Sequence, residues 1–170
     1  MTIIRTMSFT AALVCTLGLY SLPAQAQGTQ IAFGGLKHDS SLPIEVTSDQ
    51  LSVDQGTGKA LFSGNVIIGQ GAMRLSAQTV EVVYASESSE SSEIARLLAS
   101  GGVTITNAGE AAEAQRAEYD LESGTVVLTG NVLLTQENSA LSGERMVIDL
   151  NTGTGRMDGR VKTILQSGKD

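Results

Sequence analysis

Any catalysis or metal binding by this chain would have to be built from very few reactive side chains. His38 is the only histidine and Cys15 the only cysteine among 170 residues. One imidazole and one thiol cannot supply the three or four nitrogen or sulfur ligands of a zinc site, and any Ser-His-Asp triad would have to rest on His38 alone. His38 lies in a polar stretch and is expected to face solvent. Glu118 with Asp120 and Glu144 with Asp149 are close enough in sequence for paired acid and base work. They are interleaved with apolar residues, however, and read as solvated strand faces and turn positions. The segment 151–158, NTGTGRMD, has the glycine and aspartate content of a calcium repeat without its tandem copies, and is expected to be a hairpin turn. Arg74, Arg96 and Arg116 are cations that could meet a phosphate group, although exposed arginine more often serves solubility. No catalytic residue, cofactor or metal site is expected. A glycan-processing enzyme is disfavoured because tryptophan is absent and no carboxylate cluster sits beside aromatic sugar platforms.

Charge and compartment narrow the classes further. Arg5, the mostly apolar run 7–22 and Pro23-Ala24-Gln25-Ala26 have the form of a signal peptide cleaved after Ala26. The apolar run is shorter than the ~20 residues of a bilayer span and is stopped by Pro23. Cleavage removes Cys15, so the mature chain is expected to lack disulfides and thiol chemistry altogether. It also removes Arg5, which takes the balance from 11 basic and 18 acidic residues to 10 and 18, a net charge of −8. Nucleic-acid binding draws on clustered Lys and Arg, so nucleic acid is not an expected partner.

What must position any site is a repeat. Units beginning at Ser48, Ala77, Ala114 and Gly143 start 29, 37 and 29 residues apart, a period that marks stacked supersecondary units. Residues 48–70 and 114–136 align without a gap and share six of 23 positions: Asp54 with Asp120, Gly58 with Gly124, Gly64 with Gly130, Asn65 with Asn131, Val66 with Val132 and Gln70 with Gln136. The second unit carries an insertion of about eight residues, read as the acidic, serine-rich loop 85–93.

Alternating stretches such as 80–84 (VEVVY), 117–121 (AEYDL) and 145–150 (RMVIDL) describe strands with one solvated face. ALFSGNVII and VVLTGNVLL are apolar at consecutive positions instead. Either both faces are buried, or one is packed while the other meets a greasy ligand or partner. Their SGN and TGN triplets are expected to end one strand and start the next. The helical candidates, 93–99 and 109–116, are barely two turns long, and their place in the repeat frame says strand. With a mean strand of about five to six residues, each unit would supply three or four strands and the domain roughly twelve to sixteen. The expected class is all-β and antiparallel.

PIEVTSDQ at 43–50, SGNVIIGQG at 63–71, AEYDLESGTVVLTGNVLLTQ at 117–136 and SGERMVIDL at 142–150 resemble the LptA (OstA-like) family. The resemblance spans about 43–164, and it implies a twisted, slightly open β-jellyroll built here from four repeated units. The domain plan becomes a signal peptide at 1–26, a flexible leader at 27–42, the OstA-like domain at 43–166 and a tail at 167–170. It further implies a periplasmic carrier that binds lipopolysaccharide by its lipid A acyl chains. Implied partners are an LptC-like inner-membrane protein, an LptD-like outer-membrane protein and further copies of the chain, head to tail. By this resemblance the groove-facing positions are Ile44, Val46, Ile105 and Leu121. Alternation adds Phe62, Val66, Ile68, Leu75, Val80, Val82, Tyr119, Val132 and Met146. The PIEV strand and the last strand, near 160–166, are the expected pairing edges. The competing reading is an exported β-repeat scaffold that polymerises without cargo.

Overall fold

The computed structural model describes residues 29–32, 39, 41–54, 56, 59–85 and 93–165. The signal peptide with Cys15, His38, most of the insertion 85–93, Gln166 and the tail 167–170 lie outside the described residues. Eleven strands are present among the described residues and no helix. They are β1 (Thr29–Ala32), β2 (Ile44–Thr47), β3 (Gln50–Asp54), β4 (Lys59–Gln70), β5 (Met73–Tyr84), β6 (Ile94–Asn107), β7 (Glu110–Asp120), β8 (Thr125–Gln136), β9 (Ser139–Asp149), β10 (Thr154–Asp158) and β11 (Lys162–Leu165). Both helical candidates are strands, lying in β6 and β7.

All neighbours pair antiparallel in one sheet of order β1-β10-β9-β8-β7-β6-β5-β4-β2, with β3 also on β4 and β11 also on β9. The sheet does not close into a barrel. At one edge β4 is covered by β2 on residues 67–70 and by β3 on residues 59–63. At the other edge β9 is covered by β10 and β11 in the same divided way.

This division reflects a bend at the middle of every long strand. Register shifts fall between Ser63 and Val66, Ser76 and Thr79, Ser100 and Val103, Glu113 and Arg116, and Thr129 and Val132. Bulges of this kind kink a sheet and raise its twist. In β4, β6 and β8, and between β10 and β11, two successive residues take left-handed backbone: Gly64-Asn65, Gly101-Gly102, Gly130-Asn131 and Gly159-Arg160. Glycine and asparagine reach that region at least cost, which explains why the GN pair is shared by the first and third units. The expectation that SGN and TGN separate strands is therefore corrected. β4 and β8 run through these triplets, and the second and third units each run from the middle of one bent strand, through a whole one, to the middle of the next, rather than supplying three or four short strands.

The bend glycines also have an assigned neighbour. A Cβ on Gly64, Gly101, Gly130 or Gly159 would come within 3 Å of Asp49, Gln78, Gln115 or Glu144 respectively. Those four residues are the second positions of the four repeat units, so the repeat is a side chain laid over a bare glycine. Asp54, Asp120 and Asp149 mark the opposite tips, where each carboxylate accepts turn N–H groups: Gly56 at 2.8 Å, Ser123 at 2.8 Å and Asn151 at 2.9 Å.

The leader is not uniformly irregular. Its residues Thr29–Ala32 form β1, which pairs with β10 from Thr29 opposite Met157 to Ala32 opposite Thr154.

Candidate functional site

A single sheet can bury one face only if something covers it, and here each bent half covers the other. Side chains from the inner face of both halves form one apolar cluster. All thirteen residues predicted to face the groove belong to it or pack against it. Val66, Ile68, Leu75, Val80, Val82, Ile105, Tyr119, Val132 and Met146 are at most 3% exposed, while Ile44, Val46, Phe62 and Leu121 are half-buried around the margin.

The bulges decide who shares this face. Leu75 and Val80 are five residues apart, and in a regular strand an odd separation puts side chains on opposite faces. The register shift between Ser76 and Thr79 restores them to the same side. Leu141 and Met146 on β9 are brought together in the same way.

Several inner residues escaped the sequence reading, among them Leu97, Val103, Leu128 and Leu134. Leu128 and Leu134 sit in the consecutive apolar run of β8, where alternation has nothing polar to count against. The two-sided apolarity resolves into one packed face and one outward face. Leu61, Ile67 and Leu133 point outward and are exposed. A shallow outer depression of about 380 Å³ is lined by Leu61, Leu98 and Val127, with Glu81, Arg116 and Glu118 among its polar residues.

Toward the two sheet edges the inner face comes into the open. Leu51 and Val53 on β3 stand opposite Phe62 and Ala60 in register and are 56% and 60% exposed. Leu165 on β11 stands opposite Ser139 and is 75% exposed. The apolar lining is thus sealed in the middle and bare at both ends.

Polar chemistry on the inner face is confined to a few groups. The Tyr119 hydroxyl donates to Gln70 Oε1 at 3.0 Å, and Gln70 Nε2 donates to the Leu42 carbonyl at 2.9 Å. Burial pushes the Tyr119 phenol above its usual range, and the bond with Gln70 offsets part of that rise. At the tip of β7 and β8, Gln136 donates its amide to Glu110 at 2.8 Å.

The charged residues do other work. Arg74 donates to the carbonyls of Gly71 and Met73 and closes its own turn. Arg96 pairs with Glu118 at 3.2 Å and Lys59 with Glu81 at 2.7 Å, both on the outer face, where such pairs contribute little. Asp120 is held below the usual carboxylate range by the backbone N–H and hydroxyl of Ser123, and Asp149 by the backbone N–H of Thr152. Among the described residues no three His, Cys, Asp or Glu side chains are grouped so as to hold a metal ion.

Comparison with known proteins points in one direction. The family model of the LptA/(LptD N-terminal domain) LPS transport protein matches residues 45–154. An uncharacterised protein of Rhizobium meliloti (strain 1021) is 31% identical over 114 residues, which cover 65% of this chain and 61% of that relative. The crystal structure of LptH from Pseudomonas aeruginosa, the LptA homologous periplasmic component of the lipopolysaccharide transport device, overlays with a TM-score of 0.67 at 20% identity. That overlay covers 76% of this chain and 99% of LptH and shows a shared fold. The family match begins in β2 and ends in β10, so it takes in the bent sheet and nearly all of its inner face. With that span matched, the chain belongs to the LptA/LptD N-terminal domain family of lipopolysaccharide transport proteins.

Proposed function

We propose that this protein is a periplasmic carrier that shields the acyl chains of lipopolysaccharide between the two halves of its bent sheet and passes them along a head-to-tail bridge. It acts by binding and not by catalysis. The observation that carries this reading is the inner face itself, apolar from β3 to β11 and exposed only toward its edges. Shielding one methylene is worth about 0.8 kcal/mol, so a fourteen-carbon chain represents roughly 11 kcal/mol if fully covered. A deep local well would trap such cargo, whereas a lining of similar aliphatic residues from one repeat to the next lets it move.

In the structure the inner side chains fill the interior against one another, so cargo would enter by parting the halves at the half-buried margin. Ile44 and Leu121 lie on that margin. A photocrosslinking amino acid at either position is expected to label lipopolysaccharide, while the same group at outward Glu118 or Asp120 is not. Equal labelling at all four, or labelling only from outside, would overturn the groove. Purified protein free of lipid, with no labelling anywhere, would favour the scaffold reading, to which the filled interior also conforms.

The bridge would form by strand addition. The β2/β3 edge would meet the β10/β11 edge of the next copy, or of an LptC-like partner on the inner-membrane side and an LptD-like partner on the outer-membrane side. In the isolated chain β1 already occupies the outer edge of β10. Deleting residues 29–32 uncovers that edge and is expected to strengthen self-association several-fold in sedimentation velocity. An unchanged monomer would show that β10 is not a docking edge.

A further inference from the structure

The hydrogen bond between Tyr119 and Gln70 crosses the interior. β5 and β6 separate β7 from β4 in the sheet, so these residues do not meet as strand neighbours. They meet because the two halves face each other, one at the tip of the first half and one at the tip of the second. Both are shut away from water, Gln70 at 1% and Tyr119 at 2% exposure. In register Tyr119 is flanked by Leu97 and Val126, and Gln70 by Ile44 and Met73. A phenol is an odd choice for a lining meant only for hydrocarbon, since Phe would fill the same space without a donor to satisfy.

We infer that the Tyr119 hydroxyl is a recognition point for an acyl chain that carries an oxygen, either a hydroxyl or a carbonyl. The inference rests on the carrier reading above, in which cargo parts the two halves. Parting them breaks the bond to Gln70 and strands the Tyr119 hydroxyl among aliphatic side chains. A buried polar group left without a partner costs more than the net gain of an ordinary hydrogen bond. A chain that brings an oxygen to that depth replaces the lost partner, accepting from the phenol or donating to it. A plain chain leaves the penalty unrelieved. Gln70 supports the arrangement from the other side, tied by its amide to the Leu42 carbonyl just before β2.

The test uses single-chain probes: a plain fourteen-carbon fatty acid and isomers bearing one hydroxyl at successive positions along the chain. Affinities are read by displacement of a fluorescent fatty acid from the full-length mature protein. At least one hydroxylated isomer is expected to bind wild type roughly tenfold more tightly than the plain acid. Tyr119→Phe removes that preference, so that the plain and hydroxylated acids bind alike. Gln70→Leu keeps it, because the phenol remains and has lost its competing partner. A merely structural role would move all probes together in both variants. No preference in wild type, or a preference surviving in Tyr119→Phe, overturns the inference while leaving the carrier intact. Failure to bind any probe removes both. Should Tyr119→Phe not fold, Gln70→Leu decides, since loss of the preference in that variant contradicts the role given to the phenol.

Discussion

Leu128→Ala is expected to lower the unfolding free energy by ~2–5 kcal/mol, the range for truncating a buried leucine in a close-packed core. Leu128 is wholly buried and stands in one row with Ala117 on β7 and Met146 on β9. The backbone at those positions is held by ladder hydrogen bonds on both sides, so neighbouring strands cannot collapse freely over the gap. Domains of this kind are stable by only ~5–15 kcal/mol, and a loss of that size is a large share of the whole. Leu133, on the outer face of the same strand and 37% exposed, is the control. Leu133→Ala should stay within about 0.5 kcal/mol of wild type. Urea titration measures both, with an unchanged slope confirming that only stability moved. A loss below about 1 kcal/mol at Leu128 would mean a loosely packed interior, contradicting the buried positions described above.

The second large effect lies at the bends. Gly101 and Gly102 have nearly the same backbone, with φ of 86° and 87°. They differ in surroundings: a Cβ on Gly101 would sit 2.6 Å from Gln78 Cβ, while one on Gly102 meets nothing within 4 Å. Gly102→Ala therefore pays only for an L-residue in left-handed backbone, about 1–2 kcal/mol. Gly101→Ala pays that and a collision besides, adding ~1–3 kcal/mol by the cost of overpacking. Gln78→Gly removes the colliding atom and should recover much of the extra loss, which a double-mutant cycle reads directly. Equal losses at Gly101 and Gly102 would show that the covering side chain does not hold the bend.

Much of this architecture was legible in the chain because it is local and repeated. Asp54 and Asp120 recur because each caps a tip turn, and Gly64 with Gly130 because each carries a bend. Alternation put Val80, Val82 and Tyr119 on the inner face, where they are buried, since acidic residues between them mark the outer face. The same approach could not count strands, because Gly64-Asn65 and Gly130-Asn131 look like ends of strands while hydrogen bonding continues past them. Nor could it find Leu128 and Leu134, whose neighbours in sequence are equally apolar.

The sequence by itself determined an all-β chain of four related units, poor in reactive side chains and lined with aliphatic residues at regular intervals. These follow from short-range physics: side-chain period, left-handed backbone at glycine, and the presence or absence of a thiol or imidazole. Only the tertiary structure decided that β1 lies on β10, that Leu51 and Val53 remain bare where Leu75 and Val80 are sealed, and that Tyr119 finds Gln70. Each of those depends on how far the sheet folds back on itself. That angle accumulates from every bulge together, so no single segment of the chain encodes it.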